Sequence, residues 1–267
     1  MTDPFQDVSA AGQNFIDIFA HQLEVRAAEP VMIDIVEAYL DDLPWEKIDL
    51  AVDVGCGTGP VTRRMAARSP EVRVIGIEPS PELLAHARKL AEGIGNLTFE
   101  VGDGAALPLD DATVDAVVYH TVLTHVPDPS RLLDEAMRVL KPGGTLVVCD
   151  ADFSKASLAG FHGDPLQACA EFFTEHFVTD RHLVGKLRTL VQRAGFETRD
   201  FRVTSRIVAD ADGMLVWPRL GGATMVERGE IGQPLADALV GEYERRKAAG
   251  TLYGHLPFAT LIATRPA

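Results

Sequence analysis

Cysteine, tryptophan and positive charge are scarce in this chain of 267 residues. The three cysteines, Cys56, Cys149 and Cys169, are odd in number, widely spaced and without a CxxC pair. That excludes a disulfide framework and a cysteine-ligated zinc site, and it fits a reducing compartment. Lys and Arg total 25 against 39 Asp and Glu, a net charge of −14. Phosphate backbones are bound by basic side chains, so a body this acidic argues against a nucleic-acid partner. The densest basic stretch is "YERRK". No apolar run approaches the roughly 20 residues of a membrane span. The opening "MTDPFQDVSAAGQNF" puts acids and a proline where a secretion signal needs basic and apolar stretches. The expectation is a soluble cytoplasmic protein with no membrane partner.

Apolar residues are plentiful, and at 46% hydrophobic the chain can bury a core without metal or disulfide. Between residues 10 and 40, Phe15, Ile16, Phe19 and Leu23 recur at helical spacing. Val31, Ile35, Val36, Tyr39 and Leu40 do the same after Pro30, a good first helical residue. From residue 49 short apolar runs alternate with helical patterns. Strands are expected at 50–55, 72–78, 97–103, 114–120 and 145–151. The helices between them are "PVTRRMAARS", "SPELLAHARKLAEGI" and "PSRLLDEAMRVLKPGG". Ser80 reads as an N-cap ahead of Pro81, and "LKPGG" as a helix stop. Apolar runs between helices mean a parallel, doubly wound sheet. After residue 151 comes an irregular, partly helical insert, then helix "RHLVGKLRTLVQRAGF", strand "ETRDFRVTSRIV", helix "LADALVGEYERRKAAG" and strand "FATLIATRP". That order suggests an antiparallel edge hairpin.

The stretch "DVGCGTGP" (53–60) carries glycines at alternate positions directly after a strand. A phosphate-binding P-loop needs GxxxxGK followed by Ser or Thr, yet no Lys or Arg occurs before Arg63. A dinucleotide loop needs a small residue where Pro60 stands. The pattern is DxGxGxG instead, and a carboxylate beside the turn disfavours a pyrophosphate while suiting a ligand that carries an ammonium group.

"VDVGCGTG" resembles the first motif of the class I S-adenosylmethionine-dependent methyltransferases. "GIEPSPELL", "VGDGAALPLDDATVDAVV", "LTHVPDP" and "RVLKPGGTLVVCD" are similar to the family's later blocks, in order, over residues 48–152. The C-terminal part matches only in outline. The fold this implies is α/β: a Rossmann-like doubly wound sheet, mostly parallel with an antiparallel C-terminal edge strand, and helical lid and insert elements. One domain over residues 1–267 is expected, with an N-terminal helical lid (10–45), a cofactor-binding core (48–152) and substrate-cap inserts (152–181 and 210–250).

The resemblance implies S-adenosyl-L-methionine as cofactor. Gly55 and Gly57, with Cys56 between them, would meet its methionine part, and Asp53 would orient the amino group. Glu78 would accept both ribose hydroxyls, Asp103 the adenine amine, with Gly104 and Ala105 beside the ring and Ile77, Pro79 and Leu107 against its faces. Tyr119 and His120 resemble positions that face the cofactor and the substrate. His120 has two readings, a general base or a pocket-lining side chain. His125, where the family commonly has a His, is expected to have a structural or cofactor-adjacent role rather than a catalytic one, and His162, His176 and His182 sit in the insert. "CDAD" at 149–152 is read as no metal site. No Asp/Asn/Ser-Pro-Pro-aromatic signature follows strand four, where "YHTV" stands, and no Pro-Cys nucleophile occurs. Elimination leaves methyl transfer to a small-molecule substrate under a lid lined by Phe153, Phe161, Phe172, Phe173, Met214 and Trp217. A non-methylating catalyst and a regulatory binding protein on the same fold are the alternatives, and a homodimer is open.

Overall fold

A computed structural model describes residues 3–6 and 12–267. Residues 10 and 11 of the expected helical stretch lie outside the described residues. Five apolar runs become the strands β1 (Leu50–Val54), β2 (Arg73–Glu78), β3 (Leu97–Val101), β4 (Val114–His120) and β5 (Leu140–Ala151). β6 (Glu197–Val208) and β7 (Gly254–Thr264) complete one sheet in the order β3-β2-β1-β4-β5-β7-β6. β1 to β5 pair in parallel, and β7 runs antiparallel to both β5 and β6. The antiparallel hairpin is present, but the last strand slots inside it and β6 takes the edge. Burial explains the order: β7 is buried along almost its whole length, whereas β6 carries Glu197, Arg199 and Ser205 into solvent. An edge strand tolerates charge on its faces, and a central one does not.

Helices α3 (Pro60–Ala66), α4 (Pro81–Leu90) and α5 (Pro129–Val139) connect the parallel strands. Ser80 caps α4 as its sequence implies, its side chain accepting from the Leu83 N–H. α5 ends at Val139, and "LKPGG", read as a helix stop, instead opens β5, with Leu140 paired to Val114. Before the sheet come α1 (Gln13–Ala27) and α2 (Pro30–Asp41). The expected lid divides between them. Residues of α1 line the cavity described below, whereas α2 buries Met32, Ile35, Val36, Tyr39 and Leu40 in the larger core cluster. α6 (Pro165–His176), α8 (Val216–Glu227) and α9 (Gln233–Ala248) pack beside α2 on that face, and α5 and α7 (Leu183–Arg193) cover the other. Among the described residues, no helix is long and apolar enough to cross a membrane.

Candidate active site

In a parallel sheet of this kind the carboxyl ends of the strands share one edge, and ligands bind outside it. Here that edge opens into a cavity of about 620 Å³. At its β1 corner the chain must leave the strand and turn at once into α3. Gly55, Gly57 and Gly59 do this with φ of 71°, 56° and 76°, the left-handed region that side chains disfavour. A Cβ on Gly55 would stand 2.6 Å from Val122 Cγ2. α1 is pinned over this turn: Glu24 accepts from the Thr58 hydroxyl (2.6 Å) and from Arg63 (2.7 Å). That contact holds Phe19, Gln22, Leu23 and Arg26 against the cavity.

Three carboxylates surround the turn. Asp53 is 2% exposed, accepts from the Thr62 hydroxyl at 2.6 Å, and is pushed up to about 7, chiefly by burial. Glu78, also raised by burial, accepts from the Gly57 N–H (3.0 Å) through Oε2 and from the Ser80 N–H (3.1 Å) through Oε1. An ionised carboxylate offers about four acceptor positions, so Glu78 braces the turn and still has capacity for two hydroxyls. Asp103 accepts from the Ala105 N–H at 2.9 Å and is exposed at the cavity rim beside Gly104 and Ala105. Cys56 and Pro79 line the same end, with Leu83 and Leu132 as apolar walls. Ile77 and Leu107 are buried in the core cluster that includes β4 and α5, and are not among the cavity's lining residues.

At the end of β4 the two-residue alternation of a strand separates the two expected residues. His120 lines the cavity. Tyr119 is fully buried in the α5-side core, its hydroxyl donating to the Leu132 carbonyl at 2.7 Å, so its side chain has no access to the cavity. His120 Nδ1 lies 3.1 Å from the Tyr39 hydroxyl. Burial, and then the charge of Arg26, depress the imidazole to about 3. It is a neutral ring at physiological pH and a poor proton acceptor. Thr121 follows with φ 58°, an unfavourable conformation for a β-branched residue, and such strain concentrates at ligand sites.

Four contributors had no sequence signal. Arg26 donates to the Thr121 hydroxyl at 3.0 Å and faces no carboxylate within ion-pair distance among the described residues. Burial and the neighbouring Arg206 pull it down to about 10. Arg206, on β6, clamps Glu29 through two bonds of 2.6 Å and lines the cavity. Asp3 accepts from the Thr179 N–H (3.0 Å) and hydroxyl (2.9 Å), with His125 Nδ1 at 2.9 Å. Phe5, behind it, packs on Phe19, His125 and Phe173 and forms cavity wall. A charged pair spanning 177 positions, as in Arg206–Glu29, is set by tertiary packing alone.

The cap inserts supply only part of the expected lining. Phe153, Phe173 and Trp217 reach the cavity, and the last two stack with centroids 5.4 Å apart. Phe161 lies outside it under the Arg246 guanidinium, Phe172 stacks on His176, and Met214 is core. His162 and His182 are exposed, and His176 Nδ1 is bonded to the Phe172 carbonyl. Asp150, within "CDAD", is fully buried and satisfied by the Thr124 N–H and hydroxyl and by the Ala151 N–H.

A Rossmann-like sheet with a glycine turn ringed by carboxylates defines the class, and residues 52–148 match the family model described as a methyltransferase domain. That stretch, about a third of the chain, is similar to a methyltransferase domain, and the sheet around it has the Rossmann-like fold of class I methyltransferases. It is 35% identical over 184 residues to an uncharacterized 37.1 kDa protein in transposon TN4556 of Streptomyces fradiae, a match covering 68% of this chain and 51% of that one. It thus spans about half the length of that relative. A demethylmenaquinone methyltransferase of Tropheryma whipplei is 29% identical over 195 residues, 63% of this chain and 79% of the relative. Among solved structures, the (4+2)-cyclase SpnF superposes with a TM-score of 0.57 at 23% identity, over 88% of this chain and 81% of its own. That likeness is one of fold.

Proposed function

We propose that this chain transfers a methyl group from S-adenosylmethionine to a small-molecule acceptor bound in the same cavity. The observation that carries the reading is the continuity of one cavity between two unlike ends. Asp53, Glu78 and Asp103 gather at one end; Phe5, Phe153, Phe173 and Trp217 form an aromatic chamber at the other. The size, about 620 Å³, suits a small molecule rather than a polymer. When bound, the cofactor supplies an electrophilic methyl group on a sulfonium. Glu78 fits its two ribose hydroxyls, and Asp103 with the 104–105 backbone fits the adenine edge. Asp53 suits the ammonium of the methionine part, and Arg26, a half-buried cation with no ion-pair partner among the described residues, suits its carboxylate. The remaining task of the protein is alignment and exclusion of water, which α1, Phe5 and the cap inserts serve.

His120 acts as a neutral wall held by Tyr39. Where an acceptor must lose a proton, the better-placed group is His125. Asp3 holds the ring at Nδ1, as a carboxylate orients the histidine in hydrolytic triads, and the ring sits between Phe5 and Phe153 at the cavity wall. A cell extract supplied with methyl-labelled S-adenosylmethionine tests the function. The expected result is label in a small molecule with one equivalent of S-adenosylhomocysteine formed. Acceptor turnover with the cofactor unconsumed would overturn it in favour of a non-methylating catalyst.

A further inference from the structure

The acceptor end of the cavity has a charge pattern that selects its ligand. Arg206 is 1% exposed, yet it lines the cavity. Its Nε and Nη2 both go to Glu29, and no described residue accepts from Nη1. The pair is tightly seated: a Cβ on Gly213 would fall 1.8 Å from Glu29 Oε1 and 2.1 Å from Arg206 Nη2. Arg26 stands close enough to feel the charge of Arg206.

The other carboxylates at this end are already bonded: Asp3 to His125 and Thr179, Asp150 to Thr124 and Ala151. Around the donors the wall is apolar, from Val216, Trp217, Leu256, Phe153 and Phe173. Arg206 and Leu256 are register partners on β6 and β7, three and two strands beyond β4 and His120 in the direction away from Glu78. The free donor thus belongs to the acceptor's side of the cavity.

We infer that the acceptor is an apolar, ring-sized molecule carrying an acidic oxygen group, a carboxylate or an ionised phenol or enol, which docks on Arg206, and that ammonium-bearing acceptors are rejected. This rests on the proposed function for the identity of the chamber. The Arg206 donor that no described residue engages attracts an anion and repels a cation, which is how charge complementarity sets specificity. Glu29 keeps the guanidinium fixed and its fork oriented, so the third donor is presented in one direction.

The test is equilibrium binding of three probes to the full chain saturated with S-adenosylhomocysteine, read by quenching of tryptophan emission, to which Trp217 in the cavity wall and Trp45 outside it contribute. The probes are 2-naphthoate, naphthalene-2-carboxamide and 2-naphthylmethylammonium. The carboxylate is expected to bind at least about tenfold tighter than the ammonium, with the amide between. Changing both partners, Arg206→Met with Glu29→Leu, avoids stranding a buried charge. It should bring the carboxylate to the amide's affinity while S-adenosylhomocysteine binding moves less than about threefold. Should the double variant not fold, the ranking of probes on the natural chain decides alone. Equal or tighter binding of the ammonium would overturn the inference, as would a carboxylate preference that survives in a folded double variant. Probe discrimination without any methyl transfer would support this inference and overturn the proposed function alone.

Discussion

Replacing Glu78 by Ala should damage both the fold and cofactor binding, and the two losses can be sized separately. In the protein without ligand, the carboxylate holds two buried N–H groups, Gly57 at 3.0 Å and Ser80 at 3.1 Å. Leaving a buried donor unsatisfied costs about 1–3 kcal/mol each, or roughly 2–6 kcal/mol for the pair. For a chain of this size that corresponds to a fall in melting temperature of at least about 4 °C. The ribose hydroxyls add two hydrogen bonds to a charged acceptor, each about 1.5–3 kcal/mol. Affinity for S-adenosylhomocysteine should then drop by roughly a hundredfold or more. Glu78→Gln keeps one acceptor oxygen but turns an NH₂ toward the other donor, so it should fall between Ala and the natural residue. Differential scanning calorimetry and isothermal titration read the two effects. An Ala variant that melts within about 1 °C of the natural chain and binds within about twofold would refute both roles.

Arg26→Met should weaken S-adenosylhomocysteine by about tenfold or more, because the ligand's carboxylate loses a charged hydrogen-bond donor; titration with the decarboxylated cofactor should show no difference between variant and natural chain. Asp53 is protonated below about 7 in the free protein, and an ammonium ligand demands its ionised form. Affinity should therefore rise with pH up to about 7 and level off, with up to about tenfold lost per pH unit below. The same raised value means the group favours the folded state at low pH and that this contribution is lost as pH rises from its unfolded value through about 7. Asp53→Asn should accordingly melt higher than the natural chain above pH 7 while binding S-adenosylhomocysteine less tightly; a lower melting point there would count against the shift. His120→Ala should leave the pH profile of turnover unchanged, since the ring is held near 3. Asp3→Asn should cut turnover by roughly tenfold or more if His125 takes the proton, with cofactor affinity kept; the reverse pattern at the two positions would exchange their roles.

β1, β2, β4 and β5 were legible because a strand buried on both faces leaves an apolar run between helices, and the half-exposed edge strand β3 was legible from its short run "LTFEV". The order at the C-terminal edge was equally present in the sequence. "FATLIAT" has no charge and belongs inside a sheet, while "ETRDFRVTSR" carries charge at five positions and belongs on its edge. Strand alternation likewise separates Tyr119 from His120. That Asp53, Glu78 and Asp103 line one cavity could be anticipated from their places at or just beyond strand ends, but not that Glu78 also braces the turn, since its bond to Gly57 joins residues 21 apart. Arg26, Arg206, Glu29 and Asp3 were invisible for a physical reason. Each is an isolated polar residue whose partner comes from a remote element, and no local period or motif marks such a meeting.

The central claim is that the glycine turn and its three carboxylates hold S-adenosylmethionine rather than a dinucleotide. Titration calorimetry of the full chain with S-adenosylhomocysteine and with NAD, at pH 7.5, addresses it directly. One S-adenosylhomocysteine per chain with a dissociation constant in the micromolar range or below, about −8 kcal/mol, and no heat from NAD is the result predicted. Saturable NAD binding at the turn, with none for S-adenosylhomocysteine, would contradict it.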